Sequence, residues 1–133
     1  MIGETDLDVL LLSMEPVLGK VNYVFCTVKE RIQDIIEFDP WAIVREDEGI
    51  TVVVEEEKAK EKGIKFIGPF RCITLNVHSS LYAVGLTAVI ATELAKNNIS
   101  ANVIAGYYHD HVFVEEGKAE EALSVLKILG RKS

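Results

Sequence analysis

Val54-Glu55-Glu56-Glu57-Lys58-Ala59-Lys60-Glu61 and Val114-Glu115-Glu116-Gly117-Lys118-Ala119-Glu120-Glu121 lie 60 residues apart and agree at six of eight positions. Self-similarity at a fixed offset marks a duplicated structural unit. The register extends backward, since Ile43-Val44 falls on Val103-Ile104 and Arg45-Glu46-Asp47-Glu48-Gly49 falls on the loop before His111. Further back, Tyr23-Val24-Phe25-Cys26-Thr27-Val28 resembles Phe70-Arg71-Cys72-Ile73-Thr74-Leu75 at an offset near 46, the intervening segment Lys29 to Ile36 being the shorter one. Both halves therefore spell strand, helix or helical turn, strand, strand, helix. Each lacks the last strand of a β-α-β-β-α-β unit; Ile64 to Ile67 is available to the first half and the N-terminal segment to the second, and the sequence leaves that assignment open.

The second half carries the clearer elements. Phe70 to Val77 alternates as a strand does, and Leu81 to Asn97 follows as a helix with Leu81, Val84, Ala88, Ala91, Leu94 and Ala95 on one face. Small residues on that face predict close approach to a sheet. Asn97-Asn98 closes the helix, because Asn tolerates left-handed backbone. Ala101 to Tyr107 and His111 to Val114 read as two strands joined tightly, and Gly117 to Leu129 as a closing helix burying Ala119, Ala122, Leu123, Leu126 and Leu129. This order predicts a sandwich in which one sheet face carries the helices.

Length and composition bound the function. The chain has 133 residues, 49% hydrophobic and 26% charged, so it reads as one compact domain or two small units sharing a core, not a disordered chain. The net charge is −7 and is uneven, with 15 acidic and 7 basic residues through Gly63 but 6 and 7 from Ile64 onward. An acidic chain repels phosphate and anionic lipid, so neither a nucleic-acid nor a membrane partner is expected. An RNA-recognition module shares the element order, with Tyr107, Tyr108 and Phe113 as its aromatics, but the basic component of its signature is missing. The N-terminal stretch does not read as a signal peptide and the longest near-apolar run, Leu81 to Ala95, is too short to span a bilayer, so a cytoplasmic location with Cys26 and Cys72 reduced is expected.

Three clusters invite a chemical reading. His109 and His111 are two residues apart, which on a strand puts them on one face, and His78 ends an earlier strand; with Asp110 they form a candidate metal-dependent active site, although no ligand spacing of a known zinc motif is present. Ser79-Ser80, between a strand and a helix, lacks the surroundings of a nucleophile and reads as a helix cap. Free amides at such a helix start, with the positive end of the helix dipole, also receive a carboxylate, and Gly85 in the first turn lets a ligand approach the backbone. Glu46-Asp47-Glu48 is a dense anionic loop able to receive an ammonium or guanidinium group.

Several blocks together resemble a known family: Val24 to Val28, Arg45 to Val53, Val77-His78-Ser79-Ser80-Leu81 running into Val84-Gly85-Leu86-Thr87-Ala88, Ile99 to Val103, and Ala105-Gly106-Tyr107-Tyr108-His109-Asp110-His111-Val112-Phe113-Val114. They look like the small bacterial and archaeal tandem ACT-domain proteins of unknown function, related to the CASTOR-type arginine sensors and to aspartokinase regulatory domains. The resemblance implies an α+β, ferredoxin-like βαββαβ sandwich with antiparallel sheets, made of two pseudo-repeated halves: a degenerate ACT-like half over residues 1–65 and an ACT domain over 66–133. It also implies that the loop between first strand and first helix, His78 to Leu86 here, binds an amino acid.

The expectation is thus a non-catalytic regulatory module that binds a small molecule, an amino acid first, and acts through self-association as a homo-oligomer (a dimer) or through a regulated protein partner. The candidate ligand residues are His78, Ser79, Ser80, Leu81, Val84, Gly85, Leu86, Glu46, Asp47 and Asp110, with no cofactor and no metal. The alternatives are a purely structural oligomerisation module and the metal-dependent enzyme on His78, His109, Asp110 and His111.

Overall fold

The computed structural model describes residues 3–132. The elements are α1 (Leu7–Ser13), β1 (Pro16–Val28), α2 (Ile32–Ile35) with a 3-10 turn at Ile36–Phe38, β2 (Ala42–Glu46), β3 (Gly49–Glu55), α3 (Glu56–Glu61), β4 (Ile67–Leu75), α4 (Leu86–Lys96), β5 (Asn102–Ala105), β6 (Asp110–Glu115) and α5 (Ala119–Lys132). Two compact units emerge: residues 21–70 form one, and residues up to 20 together with those from 71 on form the other.

The unit of residues 21–70 contains the later part of β1, then α2, β2, β3, α3 and the start of β4, a full βαββαβ sequence with strand order β2-β3-β1-β4. β3 is antiparallel to both neighbours, pairing Tyr23 with Glu55 through Val28 with Ile50, and Ala42 with Val53 through Glu46 with Gly49. Period-two alternation puts Val24, Cys26, Val28, Val52 and Val54 on one face, where they bury against Ile35, Phe38 and Ala59 from the helical segments. The helical segment after β1 is short, as its residues suggested.

In the other unit the same order is met by borrowing. β4 from Arg71 on serves as first strand, α4, β5, β6 and α5 follow, and residues 16–20 of β1 serve as last strand, giving the order β5-β6-β4-β1. The question the sequence left open is thereby answered: β4 completes one unit and the N-terminal segment the other. Arg71 fastens this join, its Nε donating to the carbonyl of Gly19 at 2.8 Å. β5 and β6 pair antiparallel from Asn102 with Phe113 to Ala105 with Asp110. Ile73, Leu75, Val112 and Val114 face a core filled by Leu86, Ile90 and Leu94 of α4, Ala119, Ala122 and Leu126 of α5, and Leu10 and Leu11 of α1. α1 was not anticipated; Asp6 caps it by accepting from the amide of Val9 at 3.1 Å.

The predicted helix from Leu81 is corrected. It starts five residues later, because the Ser80 hydroxyl accepts from the amide of Tyr82 at 3.0 Å and the Ser80 carbonyl from Ala83, which turns the chain before the helix begins. Leu81 and Val84 are exposed; Leu94 is buried as expected, but Leu86 and Ile90 complete the buried stripe in place of Ala88, Ala91 and Ala95. Asn98 does adopt the left-handed conformation, with φ 58°. No described helix is long and apolar enough to cross a membrane.

Candidate functional site

Within the second unit, a cavity of about 110 Å³ opens beneath the start of α4, between the segment following β4 and the ends of β5 and β6. Six of the ten residues singled out from sequence line it: Ser79, Ser80, Leu81, Gly85, Leu86 and Asp110. Ala83, Thr87 and Ala105 complete the lining and were missed; of these Thr87 adds a hydroxyl, and the two alanines contribute only position. His78 and Val84 are not lining residues, and Glu46 and Asp47 are exposed residues of the other unit. Glu46 there accepts a hydrogen bond from the Thr51 hydroxyl.

The upper wall is the helix start. Gly85 is the N-cap residue of α4 at φ 105°, a backbone state that L side chains rarely adopt, and a Cβ there would meet Leu7 Cδ2 at 3.1 Å. No side chain caps this helix, so the first-turn amides, which have no partner within the helix, keep their donors and the positive end of the dipole. Ser79 and Ser80 are buried beside it. Ser80 is not the N-cap expected from sequence, since Gly85 holds that place.

Asp110, first residue of β6, is the charged residue of the lining. It is only 8% exposed, and its carboxylate accepts no hydrogen bond from any described residue. Burial raises its pKa from the ordinary 3.8, partly countered by the charge of His109. The lining therefore combines an uncapped helix start with one carboxylate, a donor set and an acceptor that suit a small molecule bearing both an anionic and a cationic group.

The three histidines do not form a metal set. His109 lies in the turn before β6, its Nδ1 3.2 Å from the carbonyl of Val77, while His111 Nδ1 is 3.1 Å from the Thr74 hydroxyl. His78 Nε2 is buried with no hydrogen-bond partner among the described residues, its ring 5.7 Å from that of Tyr108. Among the described residues no group of three or more His, Cys, Asp or Glu is placed to hold a metal ion. Burial lowers the pKa of His111 below 6.5, as does the neighbouring His109 charge.

An N-terminal strap covers the loop. Glu4 forms a parallel bridge with Ser79, donating its amide to the His78 carbonyl at 2.9 Å and accepting from the Ser80 amide at 2.9 Å. Around the cavity mouth the loop and the β5–β6 turn leave Leu81, Tyr82, Val84, Tyr107 and Tyr108 exposed, each by more than 60%.

Comparison with known proteins agrees with this architecture. A protein of unknown function from Vibrio cholerae, described as a possible transport protein, is 52% identical over 93% of this chain and 95% of its own, with a TM-score of 0.86. A structure of aspartokinase alpha and beta subunits superposes with a TM-score of 0.65 at 15% identity, covering 87% of this chain and 97% of that one. The regulatory subunit of aspartate kinase from Thermus flavus gives 0.60 at 12% identity, covering 86% and 95%. No curated protein matches the chain significantly. Two models, each described as an ACT domain, match residues 2–71 and 68–127. With these two models matched in tandem, the chain belongs to the ACT-domain family, whose general role is regulatory and small-molecule binding.

Proposed function

We propose that this chain is a non-catalytic regulatory module that binds an amino acid in the cavity under α4 and passes its occupancy on through self-association or a protein partner. The carboxylate of the ligand meets the first-turn amides near Gly85 and Leu86 and the hydroxyls of Ser79 and Ser80; its ammonium meets Asp110. One observation supports this reading: Asp110, to which no described residue donates a hydrogen bond, lines the same small cavity as the uncapped start of α4 and the serines Ser79 and Ser80. Glu46 and Asp47 belong to the other unit, and the ammonium is assigned to Asp110. At about 110 Å³ the cavity is far below the roughly 300–1,000 Å³ typical of sites for drug-sized ligands, in keeping with a small zwitterion.

Thermal-shift measurement with each of the twenty amino acids tests the proposal. A ligand at a hundred times its Kd adds about 2.7 kcal/mol. At least one amino acid should stabilise the wild type at millimolar concentration, and Asp110→Asn should abolish that stabilisation. No stabilisation by any of them overturns the reading.

The exposed rim of Leu81, Tyr82, Val84, Tyr107 and Tyr108 favours a second reading, a purely structural oligomerisation module. Native mass measurement separates the two, because a structural module keeps one assembly state with or without amino acids.

A further inference from the structure

The other unit contains a larger cavity, of about 520 Å³, at the same end of its own strands: the end of β1, the start of β3 and the approach to β4. Its chemistry differs from that of the first. The 60-residue offset that aligns the two halves puts Ile50 and Thr51 where the other unit has Asp110 and His111, so no carboxylate stands at this position. The walls are the rings of Phe25 and Phe66 and the side chain of Ile67, with Thr27 and Thr51 opposite each other on paired strands. Thr51 already spends its hydroxyl proton on Glu46.

The charge at this cavity is Lys65, exposed on its edge. Residues 21–70 hold five lysines, and four are engaged: Lys29 donates to the Glu48 carbonyl, Lys58 pairs with Asp39 and Glu55, Lys60 pairs with Glu56, and Lys62 lies over the Phe38 ring. Lys65 alone has no such partner among the described residues, in a unit with 11 acidic and 7 basic residues. Ile67 beside it leaves 71% of its surface in water. A solvated ammonium at the mouth of an apolar cavity pays little desolvation and attracts an anion, while the walls gain by covering carbon.

We infer that this cavity is a second ligand site, which takes an amphipathic monoanion: an alkyl or aryl body against Phe25, Phe66 and Ile67, and a carboxylate at Lys65. Its volume lies within the range of built ligand sites, about 300–1,000 Å³. A zwitterion is a poor fit, because its ammonium would meet no carboxylate on the lining.

Isothermal titration of the full chain with octanoate, and with octyltrimethylammonium as the same tail bearing the opposite charge, tests this. Octanoate should bind one to one, and the cationic probe about tenfold more weakly or worse. Ile67→Glu should abolish octanoate binding, Lys65→Glu should reverse the head-group preference, and Asp110→Asn should leave octanoate binding unchanged. Ile67 and Lys65 are both exposed, so the variants fold, as circular dichroism would verify. Absence of saturable octanoate binding, equal affinity for the two head groups, or wild-type binding in Ile67→Glu overturns the inference.

Discussion

The backbone amide of Ser80 donates to the carbonyl oxygen of Glu4 at 2.9 Å, so a donor in the loop that lines the small cavity is taken by the chain's own N-terminal segment. Leu7 reaches the same loop from the next turn, lying against Gly85. The loop is thus braced from one side while the amides of α4 stay open on the other.

Gly3→Ala should loosen that brace. Gly3 sits at φ 85°, and a Cβ there would come within 3.0 Å of the Ser80 nitrogen and 3.1 Å of the His78 ring. The strained backbone costs on the order of 1–3 kcal/mol. Hydrogen exchange should accelerate at Ser80 while Ile90 and Leu94 stay protected; unchanged exchange at Ser80 refutes the brace.

The two faces of the segment from Leu81 to Lys96 predict a sharp contrast. Leu94 is fully buried and Val84 is 84% exposed. Leu94→Ala should cost about 2–5 kcal/mol in urea unfolding and Val84→Ala less than about 0.5 kcal/mol. Equal losses would restore the helix face first expected from the sequence.

Asp110 should make the unliganded protein lose stability as pH rises. Its pKa is raised by burial, so above the ordinary 3.8 the folded state still holds a proton that the unfolded state has released. Stability then falls with pH from that point until the folded-state pKa is passed, and is flat beyond it. Asp110→Asn should remove this slope and raise the melting temperature at pH 7; a lower melting temperature at pH 7 contradicts the assignment.

His111 should act at the acid side of neutrality. Its pKa is lowered, so as pH falls below 6.5 the unfolded state takes up a proton before the folded one does, and stability declines until the folded pKa is reached. His111→Asn should flatten the melting-temperature profile between pH 6.5 and 5. A profile as steep as that of the wild type refutes this.

Much of the fold was legible because it is written in alternation and repetition. Val24, Cys26 and Val28 alternate, Val52 and Val112 stand 60 residues apart in equivalent core positions, and both features depend only on the pleat and on duplication. The start of α4 was not legible. Ser80 has the composition of a helix cap, but its hydroxyl is used two residues on, and only the backbone angle of Gly85 shows where the helix begins. Asp110 was read as a candidate from its surroundings in sequence, while its sharing of one cavity with the start of α4, some 24 residues earlier, depends on tertiary packing that the sequence does not state. The cavity at Lys65 was missed altogether, because a lysine becomes notable only when the partners of its neighbours are known.

Both crossing points between the two units, at residues 20–21 and 70–71, fall inside strands, β1 and β4, which run through them without a break. The unit of residues 21–70 is thus an insertion in the other, and both ends of the described chain belong to the outer sequence. No single cut of the polypeptide therefore releases either unit with all of its strands.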